Sequence, residues 1–272
     1  MSEDRYNQNE ELKGRLDELY RRYNRRKYVT SDPLLFLYRY PDAGDREIAG
    51  LIASALAFGN VKQIINSVGR VLDIMGESPR SYLLSGRMDN LESALTGFKH
   101  RWIDSFQISR LLLSARDALR KHGTLEKCFE SKIAGSGGDI NKALSGFVEE
   151  IDGGCLRKGF IPCPEKGSPC KRLNLYIRWM VRSDRVDPGG WSCVSPSMLT
   201  VPLDTHMYRL SRKLGFTERS QRDMITALEI TDSFRELAPD DPVKYDFALT
   251  RLGIIKDTDM RKFEQELEEL NC

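Results

Sequence analysis

The sequence is punctuated for α-helices along its length. Apolar residues recur every three or four positions in segment after segment, and many segments open on Asp or close on Gly, the start and stop signals of helices. Leu12, Leu16, Leu19 and Tyr23 share one face of an opening helix. "DREIAGLIASALAFG" reads as a helix capped by Asp45 and stopped at Gly59; it is apolar on more than one face and is expected to be buried. "VKQIINSVGRVLDIMG" runs from Val61 to Gly76, and "IDSFQISRLLLSARDALRKHG" stops at Gly123. "DINKALSGFVEEI" (Asp139 to Ile151), "KRLNLYIRWMVR" (Lys171 to Arg182), the segment after Asp204, "SQRDMITALEI", "DPVKYDFALTRLG" and a closing "DMRKFEQELEEL" complete a set of about ten helices. No stretch alternates convincingly with the period of a strand, and no long-period repeat is visible. The pattern predicts an all-α fold.

Composition bounds what such a helical chain can be. Hydrophobic residues make up 40% and charged residues 30% of 272, enough for a core and too ordered a mixture for a disordered chain. The apolar runs are too short to span a membrane, and "MSEDRYNQNEELKGR" lacks the apolar centre of a signal peptide, so a cytoplasmic protein is expected. Six cysteines occur without a C-x-x-C pair and beside only three histidines, so they are read as reduced thiols, with no metal and no cofactor. The net charge of +2 hides local asymmetry. Lys166, Lys171, Arg172, Arg178, Arg182 and Arg185 crowd the segment from Ile161 to Arg185 against Glu165 and Asp184, "RRYNRRK" covers Arg21 to Lys27, and the tail from Asp257 is acidic.

Two constellations can carry chemistry. In "EKGSPCKRLNLYIRWM", Gly167, Ser168 and Pro169 form a tight turn into a helix, leaving backbone N–H groups at its positive end as a phosphate site flanked by Lys166 and Arg172. Lys171 falls in the first helical turn, where a cation is electrostatically disfavoured. An amine nucleophile exploits that condition; the plainer alternative is a lysine that reaches solvent or phosphate. In "VPLDTHMYRLSRKLG", Asp204 stands at a helix mouth, where it caps the helix and is also placed to stabilise a developing positive charge. His206, in the same turn, reads as structural.

These segments carry a resemblance. "VPLDTHMYRLSRKLG" is similar to the Val-Asp-Thr-His…Arg segment of the helix-hairpin-helix (HhH-GPD) DNA glycosylase superfamily, which includes endonuclease III. "GSPCKRLNLYIRWM" takes the hairpin-and-helix place, "EIAGLIASALAFGNVKQI" resembles an early helix of that fold, and "DPVKYDFALTRLGI" resembles a late helix of the archaeal 8-oxoguanine DNA glycosylases. The likeness runs from about Asp45 to Ile254. It departs in the hairpin sequence and in the spacing from Lys171 to Asp204 (204 − 171 = 33), which is longer than in endonuclease III and nearer the archaeal enzymes. The four-cysteine iron–sulfur loop has no counterpart after Asp204, so no cluster is predicted.

The resemblance implies two helical lobes around a cleft, one formed by residues 45–195 with Lys171 and one by residues 1–44 and 196–272 with Asp204. It implies a monomeric base-excision glycosylase with AP lyase activity on damaged or abasic double-stranded DNA. Lys171 would be the Schiff-base nucleophile and Asp204 the charge stabiliser. Lys166, Gly167, Ser168 and Arg172 would hold phosphates, with Asn60 or Leu56 filling the gap left by a flipped nucleotide. Trp191, Asp187, Trp179, Phe58 and Asp246 are the candidates for the base pocket. The basic Lys171 helix would face the cleft, and the acidic tail would lie away from DNA. The alternatives are a non-catalytic DNA- or RNA-binding protein that keeps the fold, and an unrelated helical scaffold in which Asp204 is only a cap.

Overall fold

The structure, a computed structural model, describes residues 3–85, 91–154, 156 and 159–254. The acidic tail and its closing helix lie outside these residues. The described chain is helical: α1 (Glu3–Tyr23), α2 (Ala43–Ala55), α3 (Val61–Met75), α4 (Pro79–Leu84), α5 (Leu91–Ala94), α6 (Ser105–His122), α7 (Leu125–Gly135), α8 (Ile140–Asp152), α9 (Lys171–Val181), α10 (Thr205–Lys213), α11 (Met224–Leu237) and α12 (Asp246–Ile254). Two-residue strands β1 (Lys99–His100) and β2 (Ile103–Asp104) form a minimal antiparallel hairpin, too short to leave an alternating pattern.

The caps explain most boundaries and correct one. Asn60, Asp104, Asp139, Asp204 and Asp223 each accept backbone N–H groups at the start of a helix, and Gly76 and Gly123 close α3 and α6. Asp45 does not cap α2. Asp42 does, while Asp45 lies in the first turn and accepts from Ser78 Oγ and Arg80 N, both at 2.8 Å, at the start of α4. α2 also ends at Ala55, before Gly59; the chain then turns and presents Phe58.

Packing centres on α2, which meets α3, α4, α7 and α9, while α6, α7 and α8 pack on one another. Gly50 permits the α2–α9 approach: a Cβ there would come within 3.2 Å of the Tyr176 ring. α1 packs on α11 and α12, and α10 on α12. The 3₁₀ turn Pro33–Arg39 packs on α2 and α3. One continuous apolar cluster runs through these groups, from Leu16 of α1 to Leu112 of α6 and Leu249 of α12.

Half of the basic character of α9 is internal. Arg178 and Arg182 are buried and do not face a cleft. Arg178 pairs with Asp187 (2.9 Å) and Asp246; Arg182 pairs with Asp187, Asp241 (2.9 Å) and Asp184 (3.0 Å). Tyr20 of α1 and Asn24, just after it, donate to Asp184. Removing one partner from such a network leaves a buried charge uncompensated, so the network locks α9 to the chain around α12 and to α1. No helix among the described residues is long and apolar enough to cross a membrane.

Candidate active site

The free end of α9 is built differently from its buried end. The 3₁₀ turn Pro164–Lys166 closes on Gly167, whose φ of 76° a side chain would strain. Gly167 O accepts from Met224 N at 3.1 Å, which ties the turn to the start of α11. Cys170, the N-cap residue, has a left-handed φ of 47° and gives α9 no side-chain cap. The first N–H groups of α9 are thus left for another acceptor. Burial pushes the Cys170 thiol up to about 12, so it stays protonated beside this end.

Asp204 reaches the same place from α10. One oxygen, Oδ1, caps α10 by accepting from His206 N (2.9 Å) and Met207 N (2.8 Å). The other, Oδ2, lies 3.7 Å from Lys171 Nζ. Both side chains are about one-third exposed, 34% and 30%. His206 Nε2 hydrogen-bonds the Leu249 carbonyl at 3.0 Å and holds α10 on α12, a structural role. Lys171 and Asp204 therefore meet although 33 positions separate them, one fixed by the turn before α9 and the other by its own cap.

The pair stands where two cavities adjoin. The larger, about 960 Å³, is lined by Phe58, Lys166, Ser168, Pro169, Arg172 and His206 among others. The smaller, about 190 Å³, is lined by Trp179, Pro202, Asp246, Phe247, Thr250 and Arg251 among others. Lys171, Asp204, Ala57 and Gly59 line both.

The expected residues distribute unevenly over this site. Lys166 and Ser168 line the large cavity. Arg172 does too, but its guanidinium is engaged: it donates to Ala55 O (2.8 Å) and Gly159 O (2.9 Å) and lies 4.8 Å from the Phe58 ring. Burial lowers its pKa to about 10, and its two carbonyl partners and the ring make it a clamp on the Phe58 turn. The Phe58 ring also meets His100 edge-on at 4.9 Å, and His100 Nε2 hydrogen-bonds Phe58 O. Asn60 uses its side-chain oxygen to cap α3 and stands exposed beside Gly59. Leu56 is fully buried and fills no gap. Trp179 and Asp246 line the small cavity.

Trp191 and Asp187 are corrections, since neither lines either cavity. Their loop folds back along α9: Gly189 N and Trp191 N donate to Trp179 O and Met180 O, and Arg46 holds the Gly189 carbonyl at 2.8 Å. Trp191 consequently packs among Phe129, Phe147 and Tyr176 and donates Nε1 to buried Glu47 at 2.7 Å. Asp187 is wholly buried between Arg178 and Arg182. Sequence reasoning missed the α12 residues Phe247, Thr250 and Arg251; an arginine on an otherwise apolar helix face was the available signal.

One further group of potential metal ligands, His122, Cys128 and Glu150, has ligand atoms within 4.8 Å of one another. Lys121 (2.7 Å) and Lys132 (2.9 Å) already neutralise Glu150, and burial pushes the Cys128 thiol up to about 11.

Among protein families, the one described as "Protein of unknown function (DUF2400)" matches residues 32–255. The chain belongs to the DUF2400 family. No curated protein and no solved structure matches it. The span shared with DUF2400 contains Lys171, Asp204 and, except for Ser31, every residue that lines the two cavities.

Proposed function

We propose that the protein is a DNA base-excision glycosylase with AP lyase activity, built as a two-lobed helix-hairpin-helix glycosylase and acting as a cytoplasmic, nucleoid-associated monomer. The observation that carries this reading is the Lys171–Asp204 pair at the junction of a wide cavity and a narrow one. Glycosylase chemistry needs that arrangement. The strand's sugar and phosphates occupy a wide, partly basic groove, the flipped base enters a narrower pocket, and the bond to be broken lies between them.

In this reading the unclaimed N–H groups at the start of α9, with Lys166 and Ser168, hold the phosphates beside the flipped nucleotide. Phe58 walls the groove. Asp204 relays the proton that the Lys171 ammonium sheds to the departing base and, ionised again, stabilises the positive charge that grows on the sugar. The Lys171 amine forms a bond to C1′ as the C1′–N bond breaks, and its electron pair leaves with the base. Ring opening gives the imine. Loss of a C2′ proton then expels the 3′ phosphate and nicks the strand.

The test is a panel of duplexes, each with one damaged base or an abasic site, assayed for base release and nicking with wild type and Lys171→Ala. Release or nicking that requires Lys171 is the expected result. Salt-dependent duplex binding with no product from any duplex would instead mark a non-catalytic binding protein.

A further inference from the structure

The β1–β2 hairpin is fastened to the Phe58 turn and to α3 by one imidazole. His100 Nε2 hydrogen-bonds Phe58 O and its Nδ1 meets Ser67 Oγ of α3, both at 3.0 Å. Burial lowers the His100 pKa, which leaves the ring neutral near pH 7 and its role structural. A cavity of about 400 Å³ lies here, lined by Gln63, Asn66, Ser67, Lys99, His100 and Arg101. It has room for a phosphate and several waters at ~30 Å³ each. Gln63, Asn66 and Ser67 share one face of α3 by their spacing.

The wall of this cavity holds two cations and no carboxylate. Lys99 and Arg101 are exposed, as are Gln63 and Asn66, and none of these four side chains hydrogen-bonds or ion-pairs with a described residue. Asp104, opposite Lys99 in the strand pairing, uses Oδ1 to cap α6 and does not line the cavity. Arg101 is also held in a strained backbone. It is the first residue of the two-residue turn between the strands, with a φ of 55° that glycine adopts more easily. Cys170, before Lys171, is the other non-glycine residue with positive φ among the described residues. Such outliers cluster at ligand sites. The Arg101 side chain lies along Gly59, where a Cβ would come within 3.1 Å of its Cδ and 3.4 Å of its Nη1. Gly59 lines both cavities at the Lys171–Asp204 pair, so this guanidinium stands against the wall of the candidate active site.

Resting on the glycosylase reading, we propose that the hairpin cavity is a second phosphate grip for the DNA duplex. Lys99 and Arg101 neutralise a backbone phosphate there, and the amides of Gln63 and Asn66 donate to its oxygens. The α9 turn with Lys166 and Ser168 holds one part of the backbone beside Lys171, and the hairpin holds another beside Gly59. The wall offers charge and N–H donors, and its one ring, His100, is buried against the Phe58 turn. The grip therefore binds backbone and not bases, and adds affinity without sequence preference.

The experiment measures duplex binding across salt concentrations for wild type, Lys99→Ala, Arg101→Gly and Arg101→Lys, with melting temperatures alongside and wild-type nicking of an abasic duplex as the reference activity. Lys99→Ala and Arg101→Gly should each lower the slope of log affinity against log salt by about 1, and weaken binding about tenfold at ~0.1 M salt, equally for duplexes of different sequence. Arg101→Lys keeps the charge and should keep the slope. Arg101→Gly should melt no lower than wild type, because glycine takes the positive φ without strain, so its weaker binding is not a loss of fold. Should it melt lower, Lys99→Ala decides. A wild type that nicks the abasic duplex while Lys99→Ala and Arg101→Gly bind with its affinity and slope overturns the grip and leaves the glycosylase in place. Lowered slopes in both variants, with no nicking and no base release by wild type, uphold the grip and remove the glycosylase reading. A wild type that binds no duplex removes both.

Discussion

Helix α9 carries two kinds of ion pair, and the contrast between them separates structure from chemistry. At its C-terminal end Arg178 and Arg182 are 2–4% exposed and saturated by Asp187, Asp246, Asp241 and Asp184. At its N-terminal end Lys171 is one-third exposed and faces a single carboxylate at 3.7 Å, and that carboxylate spends its other oxygen on a helix cap. The buried network is closed off from solvent, with each guanidinium held by two or more carboxylates. The open pair reaches solvent, and two cavities adjoin it. Charge pairs of similar composition thus serve opposite ends: one fixes the helix, and the other is free to engage a third group.

That comparison can be broken most strongly at Asp187. Asp187→Asn leaves two buried guanidinium groups under-compensated and should cost about 3–5 kcal/mol in chemical denaturation. Asp204→Asn should do the reverse. Asn still caps α10, so stability should shift by only a few tenths of a kcal/mol, while base release should fall about 10²–10³-fold in single-turnover assays, through loss of charge stabilisation.

A third cluster lies between these extremes. Burial raises the pKa of Glu150, but hydrogen bonds from Lys121 and Lys132 outweigh it and bring the carboxyl down to about 2. A lowered carboxylate pKa stabilises the fold above the ordinary range and loses that contribution as pH falls from about 4.5 towards 2. Glu150→Gln should therefore be less stable than wild type by about 1–3 kcal/mol at pH 7. The gap should close near pH 2, as followed by urea titrations across pH. The smallest effect is expected at the open pair itself. Lys171→Met should change unfolding free energy by less than about 1 kcal/mol, because an exposed pair contributes little.

What the sequence revealed follows from locality. Helices are written in spacing and caps, so α3, α6, α8, α9 and α10 are legible within a residue or two. Lys171 and Asp204 stood out because each sits at a helix start, a local signal, and the resemblance brought them together. Trp191 and Asp187 misled because a Gly-Pro loop between two site residues looks like a site loop. Its fate is decided by Arg46, Glu47 and the α9 carbonyls, partners more than 130 positions away in the first two cases. The direction of Arg178 and Arg182 was hidden for the same reason, since their carboxylates come partly from α12 and the turn before it. Arg251 escaped notice because one arginine in an apolar helix does not announce the cavity it lines.

The central claim is that Lys171 is the reacting amine, and borohydride trapping on an abasic duplex tests it directly. Wild type should yield a covalent protein–DNA adduct at Lys171, located by peptide mass mapping, and Lys171→Ala should yield none while keeping the wild-type melting temperature. An adduct that persists in Lys171→Ala, or no adduct with wild type on any abasic duplex, would contradict the account.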